Sequence, residues 1–223
     1  MPRHLLQLEG LDAPALTALL DRAESFIPAA RGEAAAPASL AGKLVANLFF
    51  EDSTRTRLSF EAAAARLGAR SLALQGSGSS ASKGETFLDT ALNVEALGVD
   101  AIVVRTDLSG GPAQLARHVR CSIINAGDGR HEHPTQGLLD CLTIRRALGG
   151  FQGATIAIVG DIANSRVARS ALHALTTLGA KVRLIGPPTL MPKSFAQIPV
   201  VAENVSISND LDANLHDLDA IMM

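Results

Sequence analysis

The sequence holds no tryptophan and no tyrosine, and only 7 phenylalanines in 223 residues. Stacking on aromatic faces, a main device for holding single-stranded nucleic acid, is therefore not a major binding mode. Cysteine is scarcer still. Cys121 and Cys141 each sit in an apolar run and read as core residues in a reducing compartment, not as a disulfide scaffold. No apolar run approaches the ~20 residues of a membrane-spanning helix. Met1-Pro2-Arg3-His4 leads into an amphipathic run without a signal-peptide hydrophobic segment, so a cytoplasmic location is expected. An excess of one charge sign is missing too: a net charge of −2 gives no basic footprint for nucleic acid and no polybasic membrane patch. His131 and His133 stand two apart, but no cysteine or carboxylate cluster in the sequence completes a site around them, so no metal is expected.

What remains is a chain of globular balance, 47% hydrophobic and 19% charged, long enough for one large domain or two small ones. Apolar strand-like runs alternate with helical ones. Strands are expected at 43–50, 71–75, 100–105, 122–125, 155–159, 181–185 and 219–223. Helices are expected at 11–30, 54–67, 85–97, 112–119, 135–148 and 165–178. Asp12 reads as the first N-cap, Ser82 and Glu85 as a capping box, and Gly68, Gly98 and Gly179 as helix ends. Alternation of this kind implies an α/β fold with parallel sheets and helices on both faces. Gly149-Gly150 marks the expected boundary between two doubly wound parallel-sheet domains, 1–149 and 150–223, the second incomplete. In such sheets ligands sit beyond the carboxyl ends of strands. Three chemically rich stretches follow strands: Glu51–Thr56, Arg105-Thr106 and Asn125–Gln136. Their common position predicts one shared site.

The richest of them is Phe49-Phe50-Glu51-Asp52-Ser53-Thr54-Arg55-Thr56-Arg57, at a strand-to-helix turn. The first turn of a helix carries unpaired N–H groups and the positive end of the macrodipole. Ser53, Thr54 and Thr56 add hydroxyls there, and Arg55 adds a planar cation suited to bidentate phosphate contact. An N-cap alone would explain Asp52 or Ser53. It does not explain an arginine that opposes the dipole, whereas a bound anion does.

This run resembles the carbamoyl-phosphate signature of the aspartate/ornithine carbamoyltransferase family, and later stretches agree with it. His133-Pro134-Thr135-Gln136 resembles the family's His-Pro-Thr-Gln motif. Val159-Gly160-Asp161 through Ser165-Arg166 resembles its second-domain motif; it lacks G-x-G-x-x-G, so nucleotide binding is a weak reading. The resemblance implies transfer of a carbamoyl group from carbamoyl phosphate to an amino acid without cofactor. Ser53, Thr54, Arg55 and Thr56 would bind phosphate, Arg105 would contact phosphate and carbonyl oxygen, His133 would donate to that oxygen, and Gln136 would bind the carbamoyl amine. Ser79 and Lys83, in a Gly- and Ser-rich loop, would reach a neighbouring subunit's site, implying a homotrimer with shared active sites. Lys83 and Arg166 would bind the second substrate, Arg166 through its α-carboxylate. Taken singly, Arg105 reads as a charge at a strand end, His133 as a loop histidine and Lys83 as a solvated lysine.

Glu51, Thr135 and Lys83-Gly84-Glu85-Thr86 look like the aspartate branch of the family, whose pathway is pyrimidine synthesis. L-aspartate is therefore the expected second substrate. Ornithine or an acylated ornithine, and a noncatalytic carbamoyl-phosphate-binding paralogue, stand as the alternatives. Larger assemblies with regulatory or dihydroorotase-like chains also follow from the resemblance. Relatives continue beyond a strand like 219–223 with further ligands for the second substrate. The 223-residue chain is accordingly expected to bind carbamoyl phosphate better than it turns it over, and to be poorly stable alone.

Overall fold

The computed structural model describes residues 3–75, 86–191 and 204–223. The chain divides into two compact units, Met1–Leu6 with Ser25–Gly129, and Gln7–Glu24 with Arg130–Met223. Each holds one four-stranded parallel sheet flanked by helices, as the alternation requires.

In the first unit the strands are β1 (Leu44–Phe49), β2 (Arg70–Gln75), β3 (Ala101–Thr106) and β4 (Ser122–Asp128), in spatial order β2-β1-β3-β4. The helices of this unit are α2 (Ile27–Ala30), α3 (Thr54–Arg66), α4 (Phe87–Ala96) and α5 (Gly111–Ala116). The central strands are apolar on both faces. Ala46, Leu48, Ile102, Val104 and Ile123 pack with Ala91, Val94, Leu115 and Val119. Val45, Phe49 and Val103 pack on the opposite face with Ala64 and Phe60. Each fully buried Leu or Ile there contributes about 1.5–3 kcal/mol. Asn47 of β1 is a fully buried polar side chain whose amide finds no hydrogen-bond partner among the described residues.

The second unit begins with α1 (Ala13–Ser25), capped by Asp12 Oδ1 on the Ala15 N–H at 2.8 Å. It continues with α6 (Pro134–Leu148), β5 (Thr155–Val159), α7 (Arg166–Thr177), β6 (Lys181–Ile185), β7 (Val205–Ser208) and β8 (Ala220–Met222), in sheet order β7-β6-β5-β8. Arg145 of α6 holds α1 by ion pairs to Asp21 and Glu24, both at 2.6 Å. α6 and α7 cross closely because Gly137 has no side chain. A Cβ there would meet Leu8 Cδ1 at 2.8 Å and Ser170 Cβ at 2.9 Å.

Most expected elements appear within two residues of their predicted ends. The expected first helix is two: α1 stops at Ser25, and Pro28 belongs to the first turn of α2. β4 runs to Asp128, three residues past its expected end, and its pairing with β3 shifts register between Val104 and Thr106. β7 was not expected at all. Val205-Ser-Ile-Ser is too short and too polar to stand out, and only pairing with β6 makes it a strand. The expected Ser82–Glu85 capping box lies outside the described residues. α4 carries its own box one turn later, with the Thr86 side chain accepting from Asp89 N and the Asp89 side chain accepting from Thr86 N.

The connections fix a switch point in each sheet. After β1 the chain goes one way to β2, and β3 lies on the other side of β1. After β5 it goes to β6, and β8 lies on the other side of β5. The crevices beyond the carboxyl ends of β1/β3 and β5/β8 are where such sheets hold ligands.

Candidate active site

At the first switch point stand the two expected groups of this unit. Ser53 occupies the N-cap position of α3, with an extended backbone (φ −159°, ψ 86°) and no side-chain cap bond. Its hydroxyl is not spent on the helix, and no side-chain oxygen among the described residues is seen to cap the first-turn N–H groups. Thr54 and Arg55 are exposed, and Thr56 is half-buried. A small cavity of about 190 Å³ opens here between Phe49, Glu51, Asp52, Ser53, Thr54 and Arg57.

Arg105 lies directly beside this turn, in register with Phe49, and its carbonyl accepts from the Phe50 N–H at 2.9 Å. The Arg105 Nε comes within 3.2 Å of Glu51 Oε2, an ion pair. Its Nη1 donates to the Ala126 carbonyl at 3.3 Å. Glu51 was read in the sequence only as a branch marker; the fold makes it the partner of Arg105. The loop after β4 is held by Asn125, whose Nδ2 donates to Asp128 Oδ1 at 2.8 Å and whose Oδ1 accepts from Gly127 N at 2.8 Å. Asp128 in turn accepts from Gly110 N at 2.7 Å.

In the second unit His133 is the N-cap residue of α6 and, like Ser53, makes no side-chain cap bond. Its backbone is fixed instead. The His133 N–H donates to Ser170 Oγ at 2.8 Å, and Ser170 Oγ donates to Glu132 Oε2 at 2.8 Å. Glu132 is fully buried and also accepts from Leu8 N at 2.7 Å and Glu9 N at 3.0 Å. One carboxylate thus ties the N-terminal segment, the loop before α6 and α7 around the histidine. The Thr135 hydroxyl lies 3.4 Å from His133 Nδ1. When it donates there, the ring proton sits on Nε2, the tautomer that can donate onward.

Gln136 follows in the first turn of α6, and its Nε2 donates to Asp140 Oδ1 at 2.9 Å. Both line a cavity of about 660 Å³ at the second switch point, whose walls include Val159, Asp161, Ser165 and Met222. Arg166 opens α7, which Ser165 caps through its hydroxyl on Ala168 N at 3.1 Å. Burial pushes the Asp140 carboxyl above its ordinary range, against the opposing pull of the Gln136 bond. Burial likewise holds His173 below 6.5, with Glu132 and Glu9 pulling it up and Arg169 and His131 pushing it down.

Ser79 and Lys83, expected in the site, lie outside the described residues. Glu9, His131 and Glu132 each bring one possible metal-ligand atom within 4.8 Å of the others. Sequence spacing could not find this group, because the fold supplies Glu9 from the far N-terminus. Glu132 already spends both oxygens on the three hydrogen bonds above, which account for its burial. Both cysteines are buried and unbridged, their thiols pushed up by burial to about 11 for Cys121 and about 12 for Cys141. Neither supplies a thiolate at neutral pH. Among the described residues no helix is long and apolar enough to cross a membrane.

Taken by itself, the first unit offers hydroxyls and cations for an anion at the α3 start, and the second offers a fixed histidine and amide at the α6 start, groups of the kind that act by positioning and fixed charge. Residues 3–146 match the family described as aspartate/ornithine carbamoyltransferase, carbamoyl-P binding domain. The chain is 51% identical over 222 residues to the aspartate carbamoyltransferase catalytic subunit of Gluconobacter oxydans, covering 100% of this chain and 70% of the relative. It is 52% identical over 220 residues to that of Myxococcus xanthus, covering 99% and 71%. The fold is similar to aspartate transcarbamoylase from Trypanosoma cruzi in complex with carbamoyl phosphate and aspartate, with TM-score 0.88, 32% identity, and 98% and 71% covered. It is also similar to the M. jannaschii catalytic subunit of that enzyme, with TM-score 0.85, 33% identity, and 99% and 74% covered.

Proposed function

The chain belongs to the aspartate/ornithine carbamoyltransferase family, and we propose that it transfers the carbamoyl group of carbamoyl phosphate to the amino group of L-aspartate. The products are N-carbamoyl-L-aspartate and inorganic phosphate, a step of pyrimidine biosynthesis. The observation that carries this reading is the uncapped start of α3, with hydroxyls and an arginine in the first turn and Arg105 beside it.

The reading gives each group its part. Ser53, Thr54, Thr56, Arg55 and the first-turn N–H groups hold the phosphate, with Ser79 and Lys83 adding a hydroxyl and a cation. Arg105 and His133 donate to the carbonyl oxygen as it gains charge in the tetrahedral intermediate. Thr56 serves both phosphate and oxygen. Gln136 accepts from the carbamoyl amine, and Arg166 and Lys83 hold the aspartate. The amine lone pair attacks the carbonyl carbon, forming the C–N bond. The C–O bond to the phosphate then breaks, and the amine's surplus proton leaves with phosphate. No covalent enzyme intermediate is needed. Residues 1–149 are assigned to carbamoyl phosphate and 150–223 to aspartate.

A homotrimer with shared sites, a cytoplasmic location and association with regulatory or dihydroorotase-like chains belong to the same reading. Assay of the chain with carbamoyl phosphate and either L-aspartate or L-ornithine tests the chemistry. Carbamoyl-aspartate is the expected product; product from ornithine alone overturns the assignment. Light scattering tests the trimer, and a strictly monomeric mass contradicts it.

A further inference from the structure

The bond from Gln136 to Asp140 sets which end of the Gln136 amide faces the cavity. An amide offers an acceptor at one end and two donors at the other, and packing alone distinguishes them poorly. Asp140 removes the choice. The ionised carboxylate can only accept, so Gln136 turns Nε2 toward Oδ1, at 2.9 Å. The acceptor Oε1 is then left for the cavity that both residues line, and it makes no hydrogen bond among the described residues.

We propose that Asp140 is a positioning residue that locks the Gln136 amide with its oxygen outward, so that the site selects an acyl phosphate bearing an N–H donor over one bearing a methyl group. This rests on the assignment of Gln136 to the carbamoyl amine. The competing explanation is a helix-stabilising pair, since residues four apart on a helix are neighbours. Such a pair does well at the surface. Asp140 instead buries Oδ2 with no hydrogen-bond partner among the described residues. A side chain kept only for helix stability has no reason to carry that cost, whereas an obligate acceptor does. Asn at this position would present either an acceptor or a donor, and Gln136 could then turn either way.

The test compares three probes by calorimetric titration: carbamoyl phosphate, acetyl phosphate and inorganic phosphate. The wild-type chain is expected to prefer carbamoyl over acetyl phosphate. Asp140→Asn is expected to weaken carbamoyl phosphate by about 5- to 10-fold, the value of one hydrogen bond. Acetyl phosphate and inorganic phosphate should stay within about 2-fold, so the preference collapses. Asp140→Ala should do the same, and the melting temperature of Asp140→Asn should not fall, because a buried charge has been removed. Unchanged preference in both variants, while Gln136→Ala abolishes it, sinks this proposal alone. So does equal weakening of all three probes together with lost stability. No preference in the wild type, or none lost in Gln136→Ala, overturns the assignment of Gln136 and this proposal with it.

Discussion

Two helix starts in the first unit use similar residues and end in opposite states. α4 begins Thr86-Phe-Leu-Asp89, and α3 begins Ser53-Thr-Arg-Thr56. Both put a hydroxyl at the N-cap. At α4 the hydroxyl accepts from Asp89 N at 3.1 Å and the Asp89 carboxylate accepts back from Thr86 N at 3.2 Å, so the start is closed on itself. At α3 the third helical residue is Thr56 and the second is Arg55, and the Ser53 side chain makes no cap bond. The second unit repeats the contrast. Ser165 caps α7, while His133 leaves α6 uncapped. A carboxylate in the first turn neutralises the dipole from within. A hydroxyl and a cation leave it open to an external anion. Of these four starts, the two uncapped ones carry the stretches that resemble the family's carbamoyl-phosphate motifs, Ser53–Thr56 and His133–Gln136.

The contrast can be broken most sharply by converting one start into the other. Thr56→Asp supplies α3 with the carboxylate that α4 has. Carbamoyl phosphate affinity is expected to fall by on the order of 100-fold or more, through a lost contact and added repulsion, while the melting temperature holds or rises. Titration and a thermal melt on the same sample check both. Arg105→Ala removes the neighbouring cation and should cost about 10- to 100-fold in the same titration. Retained affinity would detach Arg105 from the anion site.

Smaller effects sharpen the other side of the contrast. Thr86→Ala should cost about 1 kcal/mol of stability in denaturant unfolding and leave carbamoyl phosphate affinity unchanged. Ser53→Ala should do the reverse, costing little stability because it caps nothing, and weakening the ligand. The smallest effect concerns His173, which faces Glu132, Glu9, Arg169 and His131 behind the α6 start. Its folded-state pKa lies below 6.5, so in mildly acid solution the unfolded chain takes up a proton that the native one refuses. Stability from this group is full above 6.5 and is lost as pH falls through the folded value. Melts between pH 7.5 and 5 should show the decline, and His173→Gln should flatten it.

The sequence made the strands and the α3 start legible, because apolar runs and a dense polar turn are local signals. It made β7 illegible, because Val205–Ser208 is a strand only by virtue of its neighbour. Long-range partners were the other blind spot. Nothing local marks Glu51 as the companion of Arg105, Glu132 as the clamp behind His133, or Asp140 as the acceptor for Gln136. Each is an ordinary acid in sequence and acquires its role from what the fold sets opposite it. The candidate ligands themselves were readable because helix starts gather them within four residues, Ser53 to Thr56 and His133 to Gln136.

The claim that the open start of α3 holds the phosphate is tested most directly at Arg55, an exposed side chain that supports nothing in the core. Calorimetric titration of carbamoyl phosphate into wild type and Arg55→Ala, each checked by thermal melt, is the measurement. The account predicts a loss of about 10- to 100-fold in affinity with an unchanged melting temperature. Affinity within about 2-fold of wild type, in a variant equally well folded, would contradict it.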